Sequence, residues 1–350
     1  EILRCLVGSE MCIRDRTATF RADGASVFAR NHKWGYFPSV ALAWNMAEEP
    51  FMEPARSVVS MLKPRVSYGT VGNATGVTNN AFAAYYAQLA YNKQDNSQQT
   101  GVFLGRLENP DLKWEKGHNW NIGLDFSMFD DRFYGSLNYF NRRQQDLLGD
   151  YKVSVPPYLF DETFVNVGTM KNTGFEFDLS FNAVNTKNFS YTMNFVGTAM
   201  SNKFVDFSNS KYVGQDFYNV CGTEDPYPFY NLQRIEKGKS LGNFYMWKYA
   251  GITPDGEWLV YDRDGDIIRA AQATDADRQV VGNGMPKFTL STTHTFRYRN
   301  FDLALFFRGA FGFDIFNIHD FYYGTRNFTG NRLTVSYTHL RAHETSQDLV

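Results

Sequence analysis

Three aspartates at alternate positions, Asp262, Asp264 and Asp266, surround Gly265. Alternating carboxylates of this kind can converge on calcium as hard oxygen ligands. The stretch lacks the full EF-hand spacing and its terminal Glu, so an acidic β-turn is set ahead of calcium as its reading. Glu176 and Asp178 form a second alternating pair; general acid–base work needs such carboxylates, and so does any wet, hydrogen-bonded polar surface. Other reaction chemistry lacks its residues. The 6 His are scattered, with no two at metal-ligand spacing, and Cys5, Cys12 and Cys221 include no Cys-x-x-Cys pair. A Gly-x-Ser-x-Gly elbow, a phosphate loop and a dinucleotide fingerprint are all missing. The sequence predicts a protein that is not an enzyme.

Binding residues are more abundant. Aromatics make up 17% of the chain, with 32 Phe and 21 Tyr, while the mean hydropathy is only -0.41. Tyr85, Tyr86 and Tyr91 cluster in one weakly patterned stretch, and Tyr227, Phe229, Tyr230, Tyr245 and Trp247 in another. Flat rings with a polar handle suit stacking on sugar rings or peptides. Large loops also need internal cores of their own, and both readings stay open for each of these residues. A net charge of -2 gives no footprint for nucleic acid, which shows as a basic patch or stripe.

The elements that must position these residues are strands. Ile122, Leu124, Phe126 and Met128 alternate with Asn121, Gly123, Asp125 and Ser127, a period of two that belongs to a strand. The chain then turns at Asp130-Asp131 and alternates again through Phe133, Leu137 and Tyr139. Later hairpins repeat the rule. Phe175, Phe177, Leu179 and Phe181 oppose Glu176, Asp178 and Ser180; Phe189, Tyr191, Met193 and Phe195 follow a turn at 185–188; Lys287–Arg299 pairs with Phe301–Phe316. Arms of about ten residues suit tilted strands crossing a bilayer, whereas strands of a soluble sandwich are shorter. No run of the chain is long and apolar enough for a membrane helix. The expected connections also alternate, with tight turns at 130–131, 185–188 and 300 and long excursions at 72–113, 148–169 and 206–286. Short turns on one rim and long loops on the other mark an outer-membrane barrel. In that arrangement Asp125, Glu176, Asp178 and Arg308 face the lumen, and Phe175, Phe177, Leu179 and Phe181 share the lipid side with Ile122, Leu124 and Phe126. The fold class is therefore all-β, an antiparallel transmembrane β-barrel segment of about ten strands, incomplete in this chain.

The stretch Asn109–Leu148, with its Asn-Pro-x-Leu-x-Trp-Glu lead-in and Asn-x-Gly-x-Asp-Phe strand, resembles the signature hairpin of the SusC/RagA family of TonB-linked outer-membrane transporters. WGYFPSVALAW (34–44), KPRVSYGTVGN (63–73), the Asn166–Glu176 pattern and KGKSLGNFYMW (237–247) agree in order. The resemblance implies import of a large nutrient, an oligosaccharide or a peptide, across the outer membrane of a Bacteroidetes-type bacterium. It also implies a SusD-like surface lipoprotein partner, energy from TonB through an N-terminal region, and a lipid bilayer around the strands. Residues 1–16 and 335–350 lack alternation and resemble translated adapter sequence, leaving 17–334 as the partial barrel. On this reading the plug and early strands are missing. A secreted, soluble, β-rich glycan-binding or glycan-cleaving protein is the alternative.

Overall fold

The computed structural model describes residues 13–78, 81–91, 98–156, 159–208, 211, 216–223 and 231–323. The expected foreign tail at 335–350 and residues 1–12 lie outside them. The strands run in chain order as β1 (Arg14–Gly24), β2 (Trp34–Trp44) and β3 (Val59–Asn73), then β4 (Ala84–Tyr91) and β5 (Gln98–Arg106). The central hairpin is β6 (Glu115–Met128) with β7 (Phe133–Gln145), followed by β8 (Leu148–Lys152) and β9 (Glu162–Asn166). Two long strands, β10 (Thr169–Asn185) and β11 (Phe189–Asp206), precede seven short ones. These are β12 (Phe217–Gly222), β13 (Asn231–Glu236), β14 (Asn243–Met246), β15 (Lys248–Ile252), β16 (Trp258–Tyr261), β17 (Ile267–Arg269) and β18 (Gln279–Asn283). A last hairpin, β19 (Phe288–Tyr298) and β20 (Phe301–Phe311), leads to one helical turn at Ile318–Tyr323.

Nine strands form one open antiparallel sheet in the order β1-β2-β3-β6-β7-β10-β11-β19-β20. Its register keeps the alternating residues in common rows. Ile122 faces Tyr139, Tyr139 faces Phe175, and Phe175 faces Ala199; one row along, Leu124, Leu137, Phe177 and Gly197 align. The Phe177 ring fills the place where a Cβ on Gly197 would stand, with its Cζ 2.3 Å from that point. Thus Phe175, Phe177, Leu179 and Phe181 share a face with Ile122, Leu124 and Phe126, as the pattern predicts. A one-residue slip would invert every face.

The β6–β7 turn is tight and costly. Phe129, Asp130 and Asp131 all have positive φ, at 56°, 55° and 59°, a region that side chains rarely adopt. Backbone bonds Phe129 N–H to Val58 O at 2.7 Å and Arg132 N–H to Phe129 O at 3.2 Å hold it, and Asn182 Nδ2 donates to Asp131 O at 2.9 Å. Tight turns also join β10 to β11 and β19 to β20, on the same end of the sheet, and residues 45–58 join β2 to β3 there through two short 3-10 turns. At the other end the chain leaves the sheet after β1, β3, β7 and β11 and re-enters it at β2, β6, β10 and β19.

Several expectations need correction. The long excursion expected at 72–113 holds strands of its own, since β4 and β5 form a hairpin there. The weakly alternating excursion before β19 holds a four-stranded sheet, β12-β13-β14-β18, and a three-stranded sheet, β15-β16-β17. Strands this short give too few repeats for alternation to register. β1 begins at Arg14, before the expected boundary at Thr17. β20 stops at Phe311 because Gly312 has φ 71°, so Phe313 and Phe316 fall beyond it.

The chain divides into two compact units, described separately: 1–216 with 237–239 and 287–311, and 217–236 with 240–286 and 312–350. The first holds the large sheet and a small core at its long-connection end, where Phe28 and Leu112 are fully buried against Val77 and Ala81.

Candidate functional site

The polar face of the large sheet brings the sequence-predicted carboxylates together. Lys63 faces Asp125, Asp125 faces Ser136, Ser136 faces Asp178, Asp178 faces Val196, Val196 faces Ser291, and Ser291 faces Arg308. Asp125, Asp178 and Arg308 thus share one row across the sheet. Glu176 lies in the next row, between Asn138 and Thr198. Alternation alone places all four on one side, since successive strand residues point to opposite faces.

Polar groups knit this face. Arg65 Nε and Nη2 donate to the two carboxylate oxygens of Asp125, each at 2.9 Å, and Nη2 also donates to Asn138 Oδ1 at 2.8 Å. Such fork-to-carboxylate pairing is the strong, oriented form of an ion pair. Lys63 Nζ lies 2.8 Å from Asp15 Oδ2. Asn194 Nδ2 donates to Asp178 Oδ1 at 2.7 Å and to Ser180 Oγ at 3.0 Å. Sequence reasoning missed Arg65 and Asn138, although their positions in alternating strands could have found them. A depression of about 170 Å³ opens here between Asp15, Thr17, Arg65, Ser67 and Asn121. The surface offers donors and acceptors to a polar solute and has no group set up as a nucleophile with its base.

The loop aromatics divide into two classes. Tyr85 and Tyr86 are 68% and 51% exposed, and Tyr86 stacks on Phe103 with centroids 5.8 Å apart. Tyr245 and Trp247 are consumed by packing in the second unit. Tyr245 takes the Arg234 guanidinium over its ring at 3.6 Å and that of Arg278 at 5.4 Å, and Trp247 Nε1 donates to Thr274 O at 2.8 Å. Tyr227 and Phe229 lie outside the described residues, as does the side chain of Tyr91. Tyr249 and Trp258, 57% and 64% exposed and in ring contact at 6.0 Å, are accessible aromatics that the sequence reading passed over.

Asp262 and its neighbours form an acidic turn. Asp262 Oδ1 accepts the backbone N–H groups of Asp264 at 2.9 Å and Asp266 at 2.8 Å, and Gly265 supplies the φ of 94°. Among the described residues no three His, Cys, Asp or Glu side chains gather as a metal site.

Outside the strands, the carboxylates of Glu49, Asp111 and Asp277 are tuned, Asp111 being lowered by Lys211. Glu49 is lowered from the usual carboxylate value because Arg14 and then Trp44 donate hydrogen bonds to it, both to Oε1 at 2.7–2.9 Å. Asp277 is lowered by the backbone and hydroxyl of Thr274.

Comparison with known proteins gives one family. The model for the TonB dependent receptor-like β-barrel matches residues 14–233. TonB-dependent receptor P3 of Formosa agariphila is 31% identical over 86% of this chain and 30% of its own length. TonB-dependent receptor SusC of Bacteroides thetaiotaomicron is 27% identical over 84% of this chain and 29% of its own length. Among solved structures, the RagAB peptide importer in its open-open state superposes with a TM-score of 0.72 at 23% identity, covering 86% of this chain and 31% of that one. The chain therefore spans about 30% of the length of these relatives.

Proposed function

This chain belongs to the TonB dependent receptor-like β-barrel family, and from that premise we propose that it forms wall strands of an outer-membrane importer for a large nutrient. The supporting observation is the two-faced sheet. On its apolar side Phe20, Ile122, Phe301, Leu303 and Phe307 are 54–77% exposed, with Val40, Leu42, Phe175, Phe181 and Leu305 each above a third. Leaving roughly ten such side chains about half exposed to water forfeits about 1 kcal/mol each, a sum comparable to the whole net stability of an ordinary domain, about 5–15 kcal/mol. Facing lipid, the same residues carry no such penalty. A secreted soluble protein has no use for that face.

The polar side then lines the lumen, and the long connections face outward from the cell, as in other outer-membrane barrels. The cargo is an oligosaccharide or oligopeptide, the partner a SusD-like surface lipoprotein and the energy source TonB, as the resemblance to the SusC/RagA family implies; the likeness to TonB-dependent receptors and to a RagAB peptide importer supports the TonB and peptide parts of that reading. Lumen carboxylates serve here as hydrogen-bonding groups for passage. Exposed Tyr85 and Tyr86 supply stacking surfaces.

Deleting the full-length receptor gene and measuring uptake of labelled oligosaccharides and oligopeptides tests this reading. Expected are recovery of the receptor in the outer-membrane fraction and loss of uptake of one class, reproduced by removing TonB. A receptor found in the soluble fraction, or uptake of both classes unchanged, contradicts it.

A further inference from the structure

One register row on the apolar face is basic. His118 on β6 faces Arg143 on β7, Arg143 faces Lys171 on β10, and Lys171 faces Lys203 on β11. Two rows below, toward the tight turns, run Ile122, Tyr139, Phe175 and Ala199, and between them run Trp120, Asn141, Thr173 and Ser201. The same face thus passes from apolar through a mixed row to cationic within about 13 Å, at roughly 3.3 Å per residue.

Neighbouring strands lie about 4.8 Å apart, so Arg143, Lys171 and Lys203 form a line about 10 Å long. Like charges directly opposite one another across strands repel. Nevertheless none of the three side chains makes an ion pair or hydrogen bond among the described residues. Arg143 and Lys203 are exposed and Lys171 is half-buried. Trp120, 51% exposed, lies tilted against Tyr68 with ring centroids 4.7 Å apart, and the Tyr68 hydroxyl is 2.8 Å from His118 Nδ1. The other end of this face has no such row. It finishes in aromatics, with Phe189 facing Tyr298 and Tyr298 facing Phe301.

We propose that Arg143, Lys171 and Lys203 form a binding site for the phosphate groups of an anionic glycolipid in the outer leaflet of the membrane. The row stands at the height where a lipid's headgroup meets the end of the hydrocarbon, on the side of the long connections. Its charge is complementary to phosphate, Arg143 can offer two parallel donors to one phosphate, and Trp120 and Tyr68 form the amphipathic ring layer beneath. The bound anion relieves the repulsion along the row. This site rests on the outer-membrane reading above.

The test uses the full-length receptor purified from outer membranes. Native mass spectrometry follows binding of bisphosphorylated lipid A and of its dephosphorylated form to the delipidated protein, with inorganic phosphate as competitor. The expected result is a preference of at least about tenfold for the phosphorylated lipid. That preference disappears in the combined Arg143→Gln, Lys171→Gln, Lys203→Gln variant and persists in Lys187→Gln at the opposite rim. Equal binding of both lipids by the wild type, persistence of the preference in the triple variant, or full displacement by inorganic phosphate at the lipid's own concentration each overturns the proposal. A receptor folded in the outer membrane but without the preference sinks this site alone; one absent from the outer membrane sinks the importer reading with it.

Discussion

In the nine-stranded sheet large apolar side chains stand outward, Phe301 at 77% exposure and Ile122 at 56%, and order comes from long antiparallel ladders. In the second unit the rings are clamped instead. Arg234 covers Phe217 at 3.8 Å and Tyr245 at 3.6 Å, and Arg278 Nη2 donates to Tyr245 O at 2.8 Å. The contrast shows what the surrounding medium demands. A strand between lipid and lumen must keep every backbone group paired and alternate strictly; a short strand in a water-facing connection needs cations, caps and ring contacts to hold it.

That contrast can be broken most severely at Gly135. A Cβ there would stand 2.1 Å from Asp178 O, so Gly135→Val must push β7 away from β10. The expected cost is about 3 kcal/mol or more, read as loss of the heat-modifiable band of the full-length receptor. Gly256 in the second unit has φ 85° and open space around it, so Gly256→Ala should cost only about 1–2 kcal/mol of local strain and leave that band intact. Next comes Arg234→Ala, which removes both ring contacts at an expected cost of about 1–2 kcal/mol. Hydrogen exchange should quicken in β12, β13 and β14 and remain unchanged in β6, β7 and β10. Asp125→Ala leaves the half-buried Arg65 with only Asn138 and should lower the receptor's unfolding midpoint by about 1 kcal/mol; exchange in the second unit should not respond.

The smallest effect is acid sensitivity. Glu49 beside the large sheet and Asp277 in the second unit both have depressed folded-state pKa values. Their contribution to stability is therefore fully present above the unfolded value near pH 4 and is lost as pH falls through the folded value. Limited proteolysis between pH 6 and pH 3 should show increased cleavage around 45–58 and 274–278 at the acid end. Glu49→Gln and Asp277→Asn should each abolish the pH dependence at their own site only.

How much could be read from sequence follows the same division. Strands β6, β7, β10, β11, β19 and β20 were legible because eleven to eighteen residues give several repeats of the period, and the shared face of Asp125, Glu176, Asp178 and Arg308 followed from parity alone. The hairpin at 84–106 stayed hidden inside the expected long excursion because Ala and Gln interrupt its apolar positions. The fate of Tyr245 and Trp247 depends on Arg234, Arg278 and Thr274, partners from elsewhere in the unit that no local pattern announces. The Arg143–Lys171–Lys203 row was equally hidden, since each residue is unremarkable on its own strand and only the register aligns them.

The central claim is that one face of β10 meets lipid and the other the lumen. Spin labels placed singly at 174–181 of the full-length receptor in bilayers test it through collision with oxygen, which concentrates in lipid, and with a water-soluble nickel chelate. Oxygen accessibility should peak at 175, 177, 179 and 181 and fall at 174, 176, 178 and 180. A profile without that two-residue period, or one with its peaks at Glu176 and Asp178, would contradict the account.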